Sequence, residues 1–205
     1  MNPLQHVRLG AIRSIDRSKL VAGRSGFNPD FHAIGKKTVI GLENRTYLVM
    51  GKAQYRELDW DTWRQLSGNA IHELELLCLE TGGTAYLEWN YDDKVEAYLS
   101  KEKHSNDPSV YGARDWQQFL DDDHLDSSLT ITVGGITYRY NDDESWAARF
   151  EREADNKKQF VRCYEFEHRT DSLTIEVWGK NGEEGVELWT SREINPLSVK
   201  IIAQS

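Results

Sequence analysis

Apolar and polar residues alternate with a period of two through most of the readable chain, the mark of half-buried β-strands. In Thr46–Tyr55 the alternation places Tyr47, Val49, Gly51, Ala53 and Tyr55 on one face. Ile71–Glu80 sets Leu74, Leu76 and Cys78 on one side and Leu77 and Leu79 on the other. The run passes through Thr81-Gly82-Gly83 into Thr84–Tyr91, where Ala85, Leu87, Trp89 and Tyr91 share a face. A short glycine-bearing link between two alternating runs predicts a β-hairpin. A second hairpin is expected where Leu129, Ile131 and Val133 lead into Gly134-Gly135 and then Ile136, Tyr138 and Tyr140. Glycine supplies the positive φ angles that a tight hairpin turn needs. Gln159–His168 and Leu173–Trp178 form the next predicted pair, and Lys180-Asn181-Gly182 turns the chain towards Val186–Thr190.

Helical periodicity is scarce. Trp116, Phe119 and Leu120 fall on one face of a predicted helix over Asp115–Leu125, and a shorter turn is expected around Trp60–Leu66.

The two halves read alike. Thr81 to Trp89 and Thr170 to Trp178 span the same interval, and Gly41 precedes Tyr47 as Gly134 precedes Tyr138. A downstream aromatic follows in each, Tyr98 or Trp189. The predicted fold is therefore mainly β: two antiparallel sheets or half-barrels related by a pseudo-repeat, with a short helical connection between them. The expected organisation is a basic N-terminal arm over 1–37, a first β half over 38–100, an acidic helical connection over 101–128 and a second β half over 129–205. Each half presents an apolar face that the other can cover, so the two are expected to form one compact domain.

Composition sharpens this picture in three ways. Seven Trp, nine Tyr and six Phe supply burial area that a disordered chain of similar charge would lack. The formal net charge of -9 argues against nucleic acid as a partner, because phosphate backbones demand a dense basic surface. That charge is uneven: residues 1–24 hold Arg8, Arg13, Arg17, Lys19 and Arg24 against Asp16 alone. Such an arm either docks on its own acidic body or reaches an anionic lipid surface or partner. Cys78 and Cys163 are too few for a disulfide framework. Met1–Leu20 has no apolar signal-peptide core, and no run is long enough to span a membrane. The expected location is cytoplasmic.

The pattern Tyr47-Leu48-Val49-Met50-Gly51 with Tyr55, followed by Trp60, Trp63, Glu73 and Leu87-Glu88-Trp89, resembles the first half of a bacterial and archaeal family catalogued as domain of unknown function 4178. Gly134-Gly135 before Tyr138, then Tyr164 and Glu176-Val177-Trp178, resemble its second half. The resemblance covers about residues 36–192. The family has no established biochemical activity. It is often encoded near envelope-stress and membrane-associated genes, and that association is all the resemblance implies about role.

Candidate chemistry is sparse. The run Asp121-Asp122-Asp123-His124-Leu125-Asp126 lacks the glycine and spacing of a calcium loop. His72-Glu73 begins a zinc-helix motif, but residue 76 is leucine where histidine is required. No metal or cofactor is expected. Glu88 and Glu176 are the one carboxylate pair placed to act as a glycosidase acid and base, which requires convergence on one cleft and a raised pKa. Alternation instead predicts outward-facing glutamates beside inward-facing tryptophans. The aromatics Trp60, Trp63, Trp89 and Trp178 are the candidate ligand- or partner-binding residues; Trp60 and Trp63 lie in the polar segment Glu57–Gln65. The leading expectation is a non-enzymatic binding or scaffolding module, acting on a protein partner or a small ligand. A hydrolase of carbohydrate or another small polar substrate, using Glu88 and Glu176, and a structural homodimer are the alternatives.

Overall fold

The computed structural model describes residues 31–66, 68, 70–91, 95–104, 128–154 and 158–204. The predicted helix over Asp115–Leu125, the acidic run Asp121–Asp126 and most of the basic arm lie outside them. Eleven strands form one antiparallel sheet: β1 (Val39–Leu42), β2 (Arg45–Leu58), β3 (Ile71–Cys78), β4 (Thr84–Tyr91), β5 (Val95–His104), β6 (Thr130–Val133), β7 (Ile136–Arg152), β8 (Lys158–His168), β9 (Asp171–Trp178), β10 (Gly185–Ile194) and β11 (Lys200–Ala203). Their order is β11-β1-β2-β3-β4-β5-β10-β9-β8-β7-β6. A further pairing of β2 with β7 closes β2, β3, β4, β5, β10, β9, β8 and β7 into an eight-stranded barrel. The two expected sheets are thus one continuous sheet. Closure leaves the two four-residue strands β6 and β11 as the edges of the sheet, short edges that limit pairing with another chain.

Closure depends on two long strands that each serve two partners. The first part of β2 pairs with β1 through the two-residue turn Glu43-Asn44, and its second part pairs with β7. β7 behaves likewise, pairing first with β6 and later with β2. Both tight turns sit in the left-handed region, with φ of 51° and 60° at Glu43 and Asn44 and 58° and 79° at Gly134 and Gly135. That geometry matches the twist of the flanking strands.

A bulge in each long strand decides which side chains face inward. In β2 the register slips between Val49 and Gly51. An extra residue in a strand of period two moves every later side chain to the opposite face. Tyr47 and Val49 consequently enter one apolar core, whereas Ala53 and Tyr55 enter another. The single face expected for Tyr47 through Tyr55 is corrected on this point. In β7 the slip between Asn141 and Trp146 has the same result: Tyr138 and Tyr140 lie in one core, Ala148 and Phe150 in another.

Two large apolar cores line the sheet face turned away from the barrel interior. The first joins Leu74, Leu76, Leu87, Trp89 and Leu99 with Ile40 and Leu42 of β1 and with Phe31 and Ile34. The second joins Phe166, Leu173, Ile175, Val177 and Leu188 with Ile131 and Val133 of β6, and Trp60 packs against it. Each half curls around its own core, so the apolar layer is covered by β1, β6 and the adjoining segments. The barrel interior is left for other residues.

Candidate cavity site inside the barrel

A cavity of about 470 Å³ occupies the barrel interior, lined by side chains from all eight barrel strands. Its chemistry follows from strand register. Glu73 of β3 pairs across the ladder with Glu88 of β4, which pairs with Tyr98 of β5. Glu176 of β9 is flanked by Cys163 of β8 and Glu187 of β10. Directly paired residues point to one face, so these ladders carry three glutamates into one enclosure. Glu73 and Glu176 are each 8% exposed. Glu88 is partly exposed to the same space.

Burial among like charges disfavours the ionised form of all three. Desolvation, and then repulsion from Glu88, push Glu73 from 4.5 up to about 8. Desolvation raises Glu88 to about 7. Desolvation, with repulsion from Glu88 and Glu73, holds Glu176 well above the usual carboxylate range. The Tyr55 hydroxyl donates to Glu73 Oε2 at 3.1 Å and partly offsets the shift there. Tyr55 is itself raised well above 10 by burial and by the nearby glutamates. The carboxyls of Glu88 and Glu176 have no hydrogen-bond partner among the described residues.

Aromatic rings form much of the remaining wall. Phe150 packs between Tyr55, at 4.9 Å, and Trp178, at 5.3 Å between ring centroids. Tyr86 meets Trp189 edge-on at 5.2 Å. Towards the mouth, Lys103 bridges Glu187 at 2.7 Å and lies over the Trp189 ring, and the exposed Arg152 lies over Phe150.

The expected outward orientation of Glu88 and Glu176 is therefore overturned. Both face the cavity, and the tryptophan beside Glu88 points the other way. Trp89 is 1% exposed within the first apolar core, stacked on His72 and packed against Phe31. Trp178, two residues after Glu176, shares its face and lines the cavity. The equal Thr-to-Trp intervals thus end on opposite faces of the sheet. Trp60 and Trp63 lie elsewhere, in a loop closed by hydrogen bonds from Trp63 N to Asp59 O and from the Thr62 backbone and hydroxyl to Asp59 Oδ1. The two bonds from Thr62 hold the Asp59 carboxyl below its usual range. Arg162 lies over both indoles, at 5.2 Å from Trp60 and 4.9 Å from Trp63.

Sequence reasoning misses Glu73 as a site residue, since neither the broken His72-Glu73 zinc pattern nor the family pattern gives it a role. The signal that would have found it is its register with Glu88 across the Thr81–Gly83 turn. Tyr55 was hidden by the bulge. Among the described residues no group of three His, Cys, Asp or Glu side chains is arranged to hold a metal ion, and no helix is long and apolar enough to cross a membrane.

No curated protein and no solved structure matches the chain. The family model described as domain of unknown function (DUF4178) matches residues 36–196, which takes in every barrel strand. By that match the chain belongs to the DUF4178 family.

Proposed function

We propose that the protein is a small-ligand-binding module whose ligand sits inside the barrel. The observation that carries this reading is the cavity itself, which is in the size range of small-molecule sites and combines aromatic walls with convergent polar groups. A pure scaffold has no need of buried carboxyls, which lower stability wherever they must ionise. Native mass spectrometry of the protein released from cells, together with a ligand-observed NMR fragment screen, tests the proposal. Binding that is lost in Gln159→Trp, which puts a bulkier side chain in the cavity lining, supports it. Fragments that bind equally well to that variant place the site elsewhere and refute it.

A second reading, hydrolysis by Glu88 and Glu176, draws support from their shared cavity. It is the weaker of the two on electrostatic grounds. A glycosidase needs one protonated and one ionised carboxyl, whereas every glutamate of this cluster is shifted upward. Turnover of a panel of p-nitrophenyl glycosides that disappears in Glu176→Gln would restore it.

The architecture also fits descent from a duplicated half. β1–β5 and β6–β10 run in the same hairpin order, and Glu88 and Glu176 both lie on the fourth strand of their half.

A further inference from the structure

We propose that the cavity selects a compact organic cation, a primary amine or guanidinium group seated among Glu73, Glu88 and Glu176 with the Trp178 and Phe150 rings beside it. This rests on the small-ligand reading above and names its chemical class. Five carboxyl side chains line the cavity, those of Glu73, Glu88, Glu176, Glu184 and Glu187, against the two cations Lys103 and Arg152. Arg152 partly offsets the rise at Glu73, whereas no cation is among the main influences on Glu88 and Glu176. Lys103 is committed to Glu187 at 2.7 Å, and Arg152 is exposed at the mouth.

The floor of the cavity is correspondingly rich in acceptors. Glu176 is more than nine-tenths buried, lines the cavity and has no hydrogen-bond partner among the described residues. A buried carboxyl left without a partner is costly, and an ammonium or guanidinium group supplies both the charge and the N–H donors that relieve it. The Trp178 and Phe150 rings in the wall suit the same occupant, since an aromatic ring attracts a cation through its quadrupole, as it does the Arg152 guanidinium over Phe150. A neutral ligand would leave ionised carboxyls without a counter-charge, and an anionic one would add to their repulsion. A metal ion is a poorer fit, because no metal-holding group occurs among the described residues.

The charge states make binding release protons. The cluster is packed against Tyr55 of β2, Glu75 of β3, Tyr86 of β4, Tyr98 and Lys103 of β5, Arg152 of β7, Cys163 and Glu165 of β8 and Glu187 of β10. Burial raises Tyr55 and Cys163, and Tyr86 is pushed up to about 12, so all three titrate above neutral pH. The glutamates, held partly neutral at pH 6.5, must ionise to pair with a cation.

The test uses the full-length protein and a panel of primary amines and guanidines, including agmatine, tyramine and 2-phenylethylamine. Each is matched by a neutral alcohol or amide and by a carboxylate of the same skeleton. Thermal shift identifies binders. Calorimetry at pH 6.5 in phosphate and in MES, buffers that differ in ionisation enthalpy and carry no primary amine, then reads proton release from the difference in heat. The expected result is that cations bind, matched neutral compounds bind at least tenfold more weakly, and protons are released. Affinity should rise from pH 6 to pH 8.5. Glu176→Gln should weaken cation binding at least tenfold, with Glu88→Gln as the second variant should the first fail to fold. Preferential binding of neutral compounds or carboxylates inside the barrel would overturn the cation assignment while leaving a ligand cavity. Absence of any binder from the whole panel would overturn both readings.

Discussion

Replacing Glu73 by glutamine should stabilise the protein, and by an amount that grows with pH. The isosteric amide keeps an oxygen to accept from the Tyr55 hydroxyl, now 3.1 Å from Glu73 Oε2, and removes only the ability to ionise. In the folded protein Glu73 titrates near 8, against 4.5 for the ordinary side chain. A carboxyl whose pKa is raised by folding contributes full stability below its unfolded value and loses it as the pH rises to its folded value. The loss is about 1.4 kcal/mol for each pH unit in that window. Between pH 5.5 and 8.5 Glu73 alone should therefore cost the wild-type protein about 3 kcal/mol, which Glu73→Gln recovers. The repulsion between Glu73 and Glu88 is already contained in that figure. For a chain of this length that corresponds to a rise in Tm of about 6–12 °C at pH 8.5, and to a much smaller one at pH 5.5. Other groups also titrate. His72, lowered by burial and by nearby cations, acts in the opposite sense, costing stability as the pH falls below 6.5. Glu80 and Glu151, both lowered by hydrogen bonds, lose their contribution only in more acidic solution. These effects cancel in the difference between variant and wild type, so urea unfolding of both proteins at several pH values isolates Glu73. A difference that stays constant from pH 5.5 to 8.5, or a variant less stable at pH 8.5, would refute the argument for a buried, neutral Glu73.

Three further outcomes are expected. Arg162→Ala, which removes the guanidinium over the Trp60 and Trp63 rings, should cost about 1–2 kcal/mol and change the tryptophan fluorescence of the folded state; an unchanged urea midpoint would mean the loop is held by its other ring contacts and hydrogen bonds. Leu87→Ala opens a cavity in the first apolar core, where the side chain is fully buried, and should cost about 2–5 kcal/mol by chemical denaturation. Gly179 has a φ of +85°, and a Cβ there would also press on the Glu183 carboxylate. Gly179→Ala should therefore cost about 1 kcal/mol or more, while a neutral effect on Tm would show that the β9–β10 turn relaxes freely.

Much of this protein is local enough to be read from residue order. Alternation in Thr84–Tyr91 and Ile71–Glu80 identifies the strands and places Leu74, Leu76, Leu87 and Trp89 together, because a side chain's face in a regular strand depends only on parity. The Gly134-Gly135 turn is equally local, since its backbone angles belong to those two residues. Family membership was legible too, as it rests on glycines and aromatics at fixed intervals. The barrel and its cavity were not. Closure requires β2 to pair with β7, residues about a hundred positions apart, and no local pattern encodes that partner. The bulges at Met50 and between Asn141 and Trp146 reverse the parity on which alternation relies, which hid Tyr55 and Phe150. Glu88 and Glu176 looked like solvent-facing residues because a polar strand face reads the same whether it meets water or the inside of a closed barrel. Only the tertiary structure distinguishes them, by turning that face inward, where burial raises Glu73, Glu88 and Glu176 and repulsion adds to the shift at Glu73 and Glu176.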